Sequence, residues 1–187
     1  MENNSKSKNQ TDRFVKILVV ILSAIIIISV LVFSEDTKNN NSDYRDYVLS
    51  DVLTGENFKI NDFEDKPVLI TSFTILCPVC TKQQEEIARI SGLTDTEFIN
   101  IGLDLDYNDK PETLKKHIQD NGFNGYYAVS PPELTEKLIS EFGELVVQPI
   151  TAPVIMIHPK CTEPVMFNIG IKNAEYLKDA ITQGCLQ

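Results

Sequence analysis

Two cysteines separated by two residues constrain this chain more than any other feature. They are Cys77 and Cys80, in the segment Cys77-Pro78-Val79-Cys80. Apolar and β-branched residues fill positions 68–76 before them, which predicts a buried strand. Helix-forming residues follow, so the pair stands where a strand turns into a helix.

The start of this helix gives the two thiols different roles. Pro78 suits the first helical position, where its missing N–H costs nothing. Cys77 then lies at the helix N-terminus, whose free N–H groups and positive dipole end favour a thiolate. Cys80 is three residues further on and lies on the same helix face. The spacing predicts a catalytic pair in which Cys77 attacks a partner disulfide and Cys80 resolves the mixed disulfide.

A structural disulfide and half of a zinc site are the alternatives for this pair. Zinc takes four ligands, usually from two such pairs, and the other two cysteines are far apart in sequence. Cys161 lies in a predicted hairpin turn and Cys185 follows the last predicted helix. A helix of about eleven residues, at about 1.5 Å per residue, is as long as a strand of about five residues, at about 3.3 Å per residue. A last helix that runs back over the second hairpin strand therefore ends near the hairpin turn. We therefore predict a structural Cys161–Cys185 disulfide, with two free surface thiols as the alternative.

The first 43 residues divide into three segments. Residues 1–16 are polar and basic, residues 17–33 are apolar apart from two serines, and residues 34–43 form an Asn-rich linker. With its apolar flank the middle segment reaches about 20 residues, the length of a transmembrane helix. The charges around it place the N-terminus in the cytoplasm and the domain of residues 44–187 outside it. A cleaved signal peptide is the alternative, and both place the cysteines in an oxidising compartment.

Composition and motifs exclude several other functions. The net charge of −10 and the pI near 4.7 argue against nucleic-acid binding. No motif predicts a cofactor or a metal site. The acidic segment 104–109 lacks the spaced ligands of a Ca²⁺ loop, and we expect solvated charge there. His117 and His158 are expected at the surface rather than as metal ligands.

From residue 44 onwards, strands and helices alternate in a recognisable order. Two short strands are followed by a βαβ unit, an αβα unit, a β-hairpin and a final helix, which predicts an α/β domain with a mixed sheet flanked by helices. This order, with Cys-x-x-Cys at the first crossover and Pro153 before the hairpin, resembles the thioredoxin fold over residues 44–187. The chain is similar to membrane-tethered proteins of the TlpA/ResA kind in three features. They are the leading hairpin, the segment Lys66-Pro67-Val68-Leu69 and a helix inserted between core strands, predicted from Pro111 to about Asn121.

The TlpA/ResA resemblance implies an extracytoplasmic enzyme that exchanges disulfides with protein thiols. It also implies that the Ala152–Pro153 segment faces the cysteines, has a cis peptide bond and presents backbone groups to an extended substrate. The chain departs from that family at Leu76, where a Trp is usual. No buried acid is evident as a proton acceptor for Cys80, and Glu85 and Glu86 are the candidates.

A second resemblance is to the SCO/SenC copper-assembly proteins. It is carried by Gly102-Leu103-Asp104-Leu105-Asp106, by the following residues 109–115 and by residues 130–143. It implies an alternative function, a non-enzymatic assembly factor that holds Cu(I) through its two thiolates. The cysteine spacing is one residue shorter than in that family, and residues 148–151 hold no His as third ligand. The segment Thr74-Ile75-Leu76-Cys77 also resembles part of the peroxide site of peroxiredoxins, but the chain lacks the proline and the late arginine of that family.

Overall fold

The structure, a computed structural model, describes residues 43–185, which belong to one compact unit beginning at Asp43. A short antiparallel hairpin comes first, formed by β1 (Leu49–Ser50) and β2 (Asn57–Phe58). The strands of the main sheet are β3 (Val68–Phe73), β4 (Ile99–Asp104), β5 (Tyr126–Val129), β6 (Val154–Ile157) and β7 (Val165–Met166).

The four helices described begin where the sequence signals place them. They are α1 (Pro78–Ile90), α2 (Pro111–Asn121), α3 (Pro132–Phe142) and α4 (Ala174–Gln183). The first three open on a proline, which suits the first helical position. The fourth is capped by Asn173, whose side chain accepts from the Tyr176 N–H at 2.8 Å. The 3₁₀ turns are Tyr44–Asp46, Ile60–Phe63, Glu144–Val147 and Pro149–Thr151.

The main sheet is mixed, in the order β5-β4-β3-β6-β7. Strands β3, β4 and β5 are parallel, whereas β6 runs antiparallel to β3 and β7 antiparallel to β6. All six residues of β3 are buried, as expected for a central strand with both faces covered. The predicted α/β domain with a mixed sheet is therefore confirmed.

Successive residues of β3 contribute to different cores, because side chains alternate across a sheet. Ile70 packs with Leu134 and Leu138 of α3 on one face. Leu69 packs with α1 and α4 residues on the other face. Phe73, at the end of the strand, shares a third cluster with Cys80. This cluster also contains Leu114, Ile118, Phe123 and Tyr127, so the inserted helix α2 supports the cysteine end of the sheet.

The β1–β2 hairpin is tied to the outer strand β5 through a buried carboxylate. Asp51 Oδ1 accepts from the Tyr127 N–H at 3.0 Å, and the Val52 N–H donates to the Tyr127 carbonyl oxygen at 2.8 Å. The other Asp51 oxygen accepts from the N–H and hydroxyl groups of Thr54. The hairpin therefore satisfies backbone groups of β5, which would otherwise be an open edge.

Two sequence expectations concern residues 17–33 and Tyr176. The predicted membrane span, residues 17–33, lies outside the described residues. Within residues 43–185, no helix combines the length and the apolar character needed to cross a bilayer. The apolar spacing of the last helix also predicts that Tyr176 points inward. It is instead 45% exposed and packs the edge of its ring against Phe167, at 5.5 Å between centroids.

Candidate redox site

Cys77 and Cys80 form a disulfide at the start of α1, with their Cα atoms 5.3 Å apart. Cys77 is the N-cap residue, and its sulphur accepts from the Cys80 N–H at 3.2 Å. Cys77 is half-buried, whereas Cys80 is buried. The helix N-terminus thus directs an N–H group at the more accessible sulphur, which favours a thiolate there after reduction.

The 3₁₀ turn Pro149–Thr151 lies against the buried cysteine. The carbonyl oxygen of Pro149 is 3.4 Å from Cys80 Sγ, and it also accepts from the Ala152 N–H at 2.9 Å. The turn comes directly before β6, the antiparallel neighbour of β3. Because β3 leads into the cysteine helix, the sheet places this turn beside the disulfide.

The Ala152–Pro153 peptide bond is trans, so the expected cis bond is wrong for this structure. No cis peptide bond occurs in residues 43–185. The change of chain direction before β6 is made instead by Ala152, which has left-handed backbone angles of φ 49° and ψ 58°. A single left-handed residue reverses the chain locally without changing the peptide isomer.

Ala152 and Pro153, predicted to bind substrate, both lie in this segment, and both are buried. The Ala152 N–H donates to the Pro149 carbonyl, and the Ala152 carbonyl accepts from Lys172 Nζ at 2.8 Å. A substrate strand that pairs with Ala152 therefore has to exchange these internal hydrogen bonds. The substrate-binding role of the two residues remains a prediction.

Three large apolar side chains are exposed on segments next to the disulfide. Leu76, which directly precedes Cys77, is 88% exposed, and Ile150 in the adjacent turn is 75% exposed. Ile169 is also exposed, and its neighbour Gly170 donates its N–H to the Thr151 carbonyl at 2.9 Å. Exposed apolar side chains grouped at one place are typical of an interaction surface.

Comparison with known proteins identifies the fold. The sequence matches no protein-family profile and no curated protein. Solved structures do match it, among them a secreted Mycobacterium tuberculosis disulfide oxidoreductase homologous to Escherichia coli DsbE. The match covers 76% of this chain and 98% of that chain, with a TM-score of 0.59 and 10% identity. The domain has a thioredoxin-like fold.

Two further solved structures share this thioredoxin-like fold. One is the thioredoxin domain of a thiol-disulfide oxidoreductase from Bacteroides vulgatus, 18% identical, with a TM-score of 0.56 over 73% of this chain and 91% of that chain. The other is a SCO1/SenC family lipoprotein from Bacillus anthracis, 16% identical, with a TM-score of 0.59 over the same shares. At these identities the likeness establishes the fold, which both structures share.

Cys161 and Cys185 form the second disulfide of the thioredoxin-like domain, with Cα atoms 5.5 Å apart. The structure thus joins the two cysteines that the sequence predicts as partners. His158, whose carbonyl oxygen accepts from the Cys161 N–H at 2.9 Å, is buried, so the expectation of a surface histidine is wrong. Its Nε2 is 3.2 Å from the Ile181 carbonyl oxygen, and its Nδ1 accepts from the Lys160 N–H at 3.1 Å. Both ring nitrogens are therefore engaged inside the domain.

The other predicted polar residues lie in different surroundings. Glu85 pairs with Lys82 at the surface, and Glu86 accepts from the Ala174 N–H at 2.8 Å, so both carboxylates are engaged by other partners. The ring of His117 stacks against Phe73, and burial lowers the pKa of this histidine. Within residues 43–185, no group of three or more His, Cys, Asp or Glu side chains is arranged to hold a metal ion.

Sequence reasoning missed the burial of Asp104 and Lys172, two charged residues of the thioredoxin-like domain whose pKa values are shifted. Asp104 was expected as solvated charge, yet it ends β4 opposite Phe73 and is fully buried. Burial and the nearby Asp109 carboxylate raise the pKa of Asp104 to about 7. Lys172, in the loop before α4, is also buried, and burial lowers its pKa to about 8. A polar residue within the apolar end of a core strand, as in Ile-Gly-Leu-Asp, was the available signal for Asp104.

Proposed function

We propose that this chain is a membrane-tethered, extracytoplasmic thiol-disulfide oxidoreductase that acts on protein thiols and disulfides. The observation that carries the proposal is the Cys77–Cys80 disulfide at the start of α1, with one sulphur half-buried and the other buried. An attacking thiolate needs access to its substrate, whereas a resolving thiol does not. The membrane tether rests on the apolar residues 17–33 and the basic residues before them.

The exchange reaction uses only the two cysteines of the site. In the reducing direction, the Cys77 thiolate attacks one sulphur of a substrate disulfide and forms a mixed disulfide, while the other substrate sulphur leaves as a thiolate. Cys80 then loses its proton and attacks Cys77 Sγ, which releases the second substrate thiolate. The domain dithiol is oxidised to the disulfide and the substrate disulfide is reduced by the same two electrons. The oxidising direction is the reverse sequence.

The exposed apolar residues indicate which substrates the site accepts. Leu76 directly precedes Cys77, Ile150 lies in the turn that contacts Cys80, and Ile169 lies on a segment bonded to that turn, and all three are exposed. A substrate cysteine flanked by apolar residues in an extended segment would bury these side chains as it approaches Cys77. This preference favours unfolded or partly folded protein substrates over small thiols.

Trapping of the mixed disulfide tests the proposed function. The Cys80→Ser variant lacks the resolving thiol, so the full-length chain is expected to accumulate mixed disulfides with partner proteins on non-reducing gels. The matched Cys77→Ser variant is expected to accumulate none, because it lacks the attacking thiol. Equal trapping by the two variants, or by neither of them, would contradict the proposal.

Redox titration of the wild-type chain distinguishes the direction and the copper-binding alternative. A potential near −120 mV identifies an oxidant and one near −270 mV a reductant, on the scale set by DsbA and thioredoxin. The alternative, a SCO-like assembly factor, predicts stoichiometric Cu(I) retention that depends on Cys77 and Cys80, without insulin reduction or dithiol oxidation. Thiol exchange without such retention supports the oxidoreductase.

A further inference from the structure

Lys172 is a buried cation held by the turn beside the cysteine pair. Only 8% of its surface is exposed, and its Nζ donates to the Ala152 carbonyl at 2.8 Å. No carboxylate forms an ion pair with it in the part of the chain that the structure describes. Burying an unpaired ammonium is costly, and the lowered pKa of Lys172, about 8, reflects that cost.

Gln83 connects the same lysine to the cysteine helix. It lies three residues after Cys80 on α1 and is buried. Its Oε1 accepts from the Lys172 N–H at 2.7 Å, and its Nε2 donates to the Lys172 carbonyl at 3.1 Å. The two reciprocal bonds fix the backbone of Lys172 against α1, so the position of the ammonium is set by the helix that carries both cysteines.

A short series of contacts leads from the ammonium to the buried sulphur. Lys172 Nζ bonds the Ala152 carbonyl, the Ala152 N–H bonds the Pro149 carbonyl at 2.9 Å, and the Pro149 oxygen is 3.4 Å from Cys80 Sγ. The charge and the sulphur therefore lie on either side of one 3₁₀ turn. Cys80, Gln83, Ala152 and Lys172 are all buried, so solvent screens the charge of the ammonium only weakly.

We propose that Lys172 is a positioning residue of the redox pair, and that its positive charge, held beside the turn, favours the reduced, thiolate-bearing state of Cys77 and Cys80. The inference rests on the proposed function. When the disulfide takes up two electrons, negative charge appears on sulphur, and the ammonium stabilises it. Lys172 itself gives up no proton and no electron in this step, so its effect is purely electrostatic.

The size of the effect follows from Coulomb's law. Two opposite unit charges about 10 Å apart, at an effective dielectric constant of about 20, attract each other with an energy that changes an equilibrium constant roughly tenfold. Tenfold corresponds to about 30 mV for a two-electron couple. Removal of the charge should make the disulfide harder to reduce by this factor.

Glutathione titration of full-length variants tests the inference. Lys172→Met removes the charge at nearly constant length, and we expect a potential about 30 mV more negative than that of the wild type. Lys178→Met is the matched control. It removes the same charge from α4, where Lys178 pairs with Asp179 near the surface, and should leave the potential unchanged. A Lys172→Met potential equal to the wild-type value, or a shift of equal size in both variants, would overturn the inference.

Stability measurements separate the electrostatic role from a structural one. The free energy of unfolding of the oxidised and reduced forms is linked to the potential by a thermodynamic cycle. A purely structural lysine would change both forms equally, whereas the proposed charge effect destabilises the reduced form more. If Lys172→Met fails to fold, Lys172→Gln retains an N–H donor without the charge, and the same negative shift is expected of it. A wild-type chain that exchanges no electrons with glutathione would instead refute the proposed function itself.

Discussion

Asp104 is an acidic residue buried inside the domain. It opens an acidic segment that is exposed from Asp106 to Asn108, but its own position is the last residue of β4. Pairing with Phe73 places it inside the sheet, where it is fully buried. Desolvation disfavours the carboxylate, and the pKa of Asp104 rises to about 7. At neutral pH this residue is therefore divided between its charged and neutral forms.

Asp104→Asn is expected to remove much of the pH dependence of stability. Because the pKa is higher in the folded state than in the unfolded state, the wild type loses stability as the pH rises from about 4 to about 7. The scale is about 1.4 kcal/mol per pKa unit. The Asn variant should lack this loss and be the more stable protein at about pH 8.

Urea unfolding of the oxidised protein at about pH 5 and pH 8 measures the effect. Asp95→Asn is the control, since Asp95 is an exposed acid. Its stability should depend on pH as that of the wild type does. An Asp104→Asn variant that loses as much stability as the wild type between the two pH values would show that the acid is not desolvated in solution.

At the scale of elements, the Cys161–Cys185 disulfide joins the β6–β7 turn to the end of α4. His158 packs beside the residue before Cys185, because its ring is 3.1 Å from the position that a Cβ on Gly184 would take. This packing explains why a residue without a side chain stands there, since Gly184 also has a φ of 89°, in the left-handed region. The disulfide and the histidine together fix the C-terminal helix to the sheet.

Removal of this disulfide should lower stability without affecting redox chemistry. The sequence separation of 24 residues gives a loop whose closure stabilises the fold by roughly 3 kcal/mol in the chain-entropy estimate. We expect the Cys161→Ala/Cys185→Ala variant to lose about that amount of unfolding free energy in urea. Its Cys77–Cys80 potential should equal that of the wild type. A loss below about 1 kcal/mol, or a changed potential, would argue against a purely structural role.

At the scale of the whole molecule, the described domain and the N-terminal segment have separate tasks in the proposed function. Residues 43–185 contain the disulfide, the turn beside it and the cores that support both. The apolar residues 17–33 are proposed as the membrane anchor, and the linker 34–43 would hold the domain at the extracytoplasmic surface.

Membrane fractionation tests this division. The full-length chain is expected to remain in the membrane pellet after alkaline carbonate extraction. A variant in which a cleavable secretion signal replaces residues 1–33 should be found in the soluble fraction. The released domain should keep the wild-type redox potential, because no residue of the site lies in the deleted segment. If the protein expressed from the full sequence is instead found in the soluble fraction without its N-terminal apolar segment, the cleaved signal peptide is supported.

Sequence patterns alone set the order of the elements and the position of the cysteine pair at the start of α1. Local signals sufficed because strand periodicity, prolines at helix starts and the Asn173 cap act within a few neighbouring residues. They located α1 and placed Cys77 at its N-cap. The pairing of Cys161 with Cys185 also followed from local geometry, since one helix packs back over one strand.

Tertiary packing sets which polar residues are buried and how the turn beside the disulfide is built. Asp104, His158 and Lys172 look like surface residues in sequence, because charge and polarity usually face water. Their burial depends on strands and helices that are distant along the chain. The left-handed Ala152, with its trans bond to Pro153, likewise depends on contacts with α1 and on the Lys172 ammonium. Such contacts are set by packing across the sheet, which no local pattern encodes.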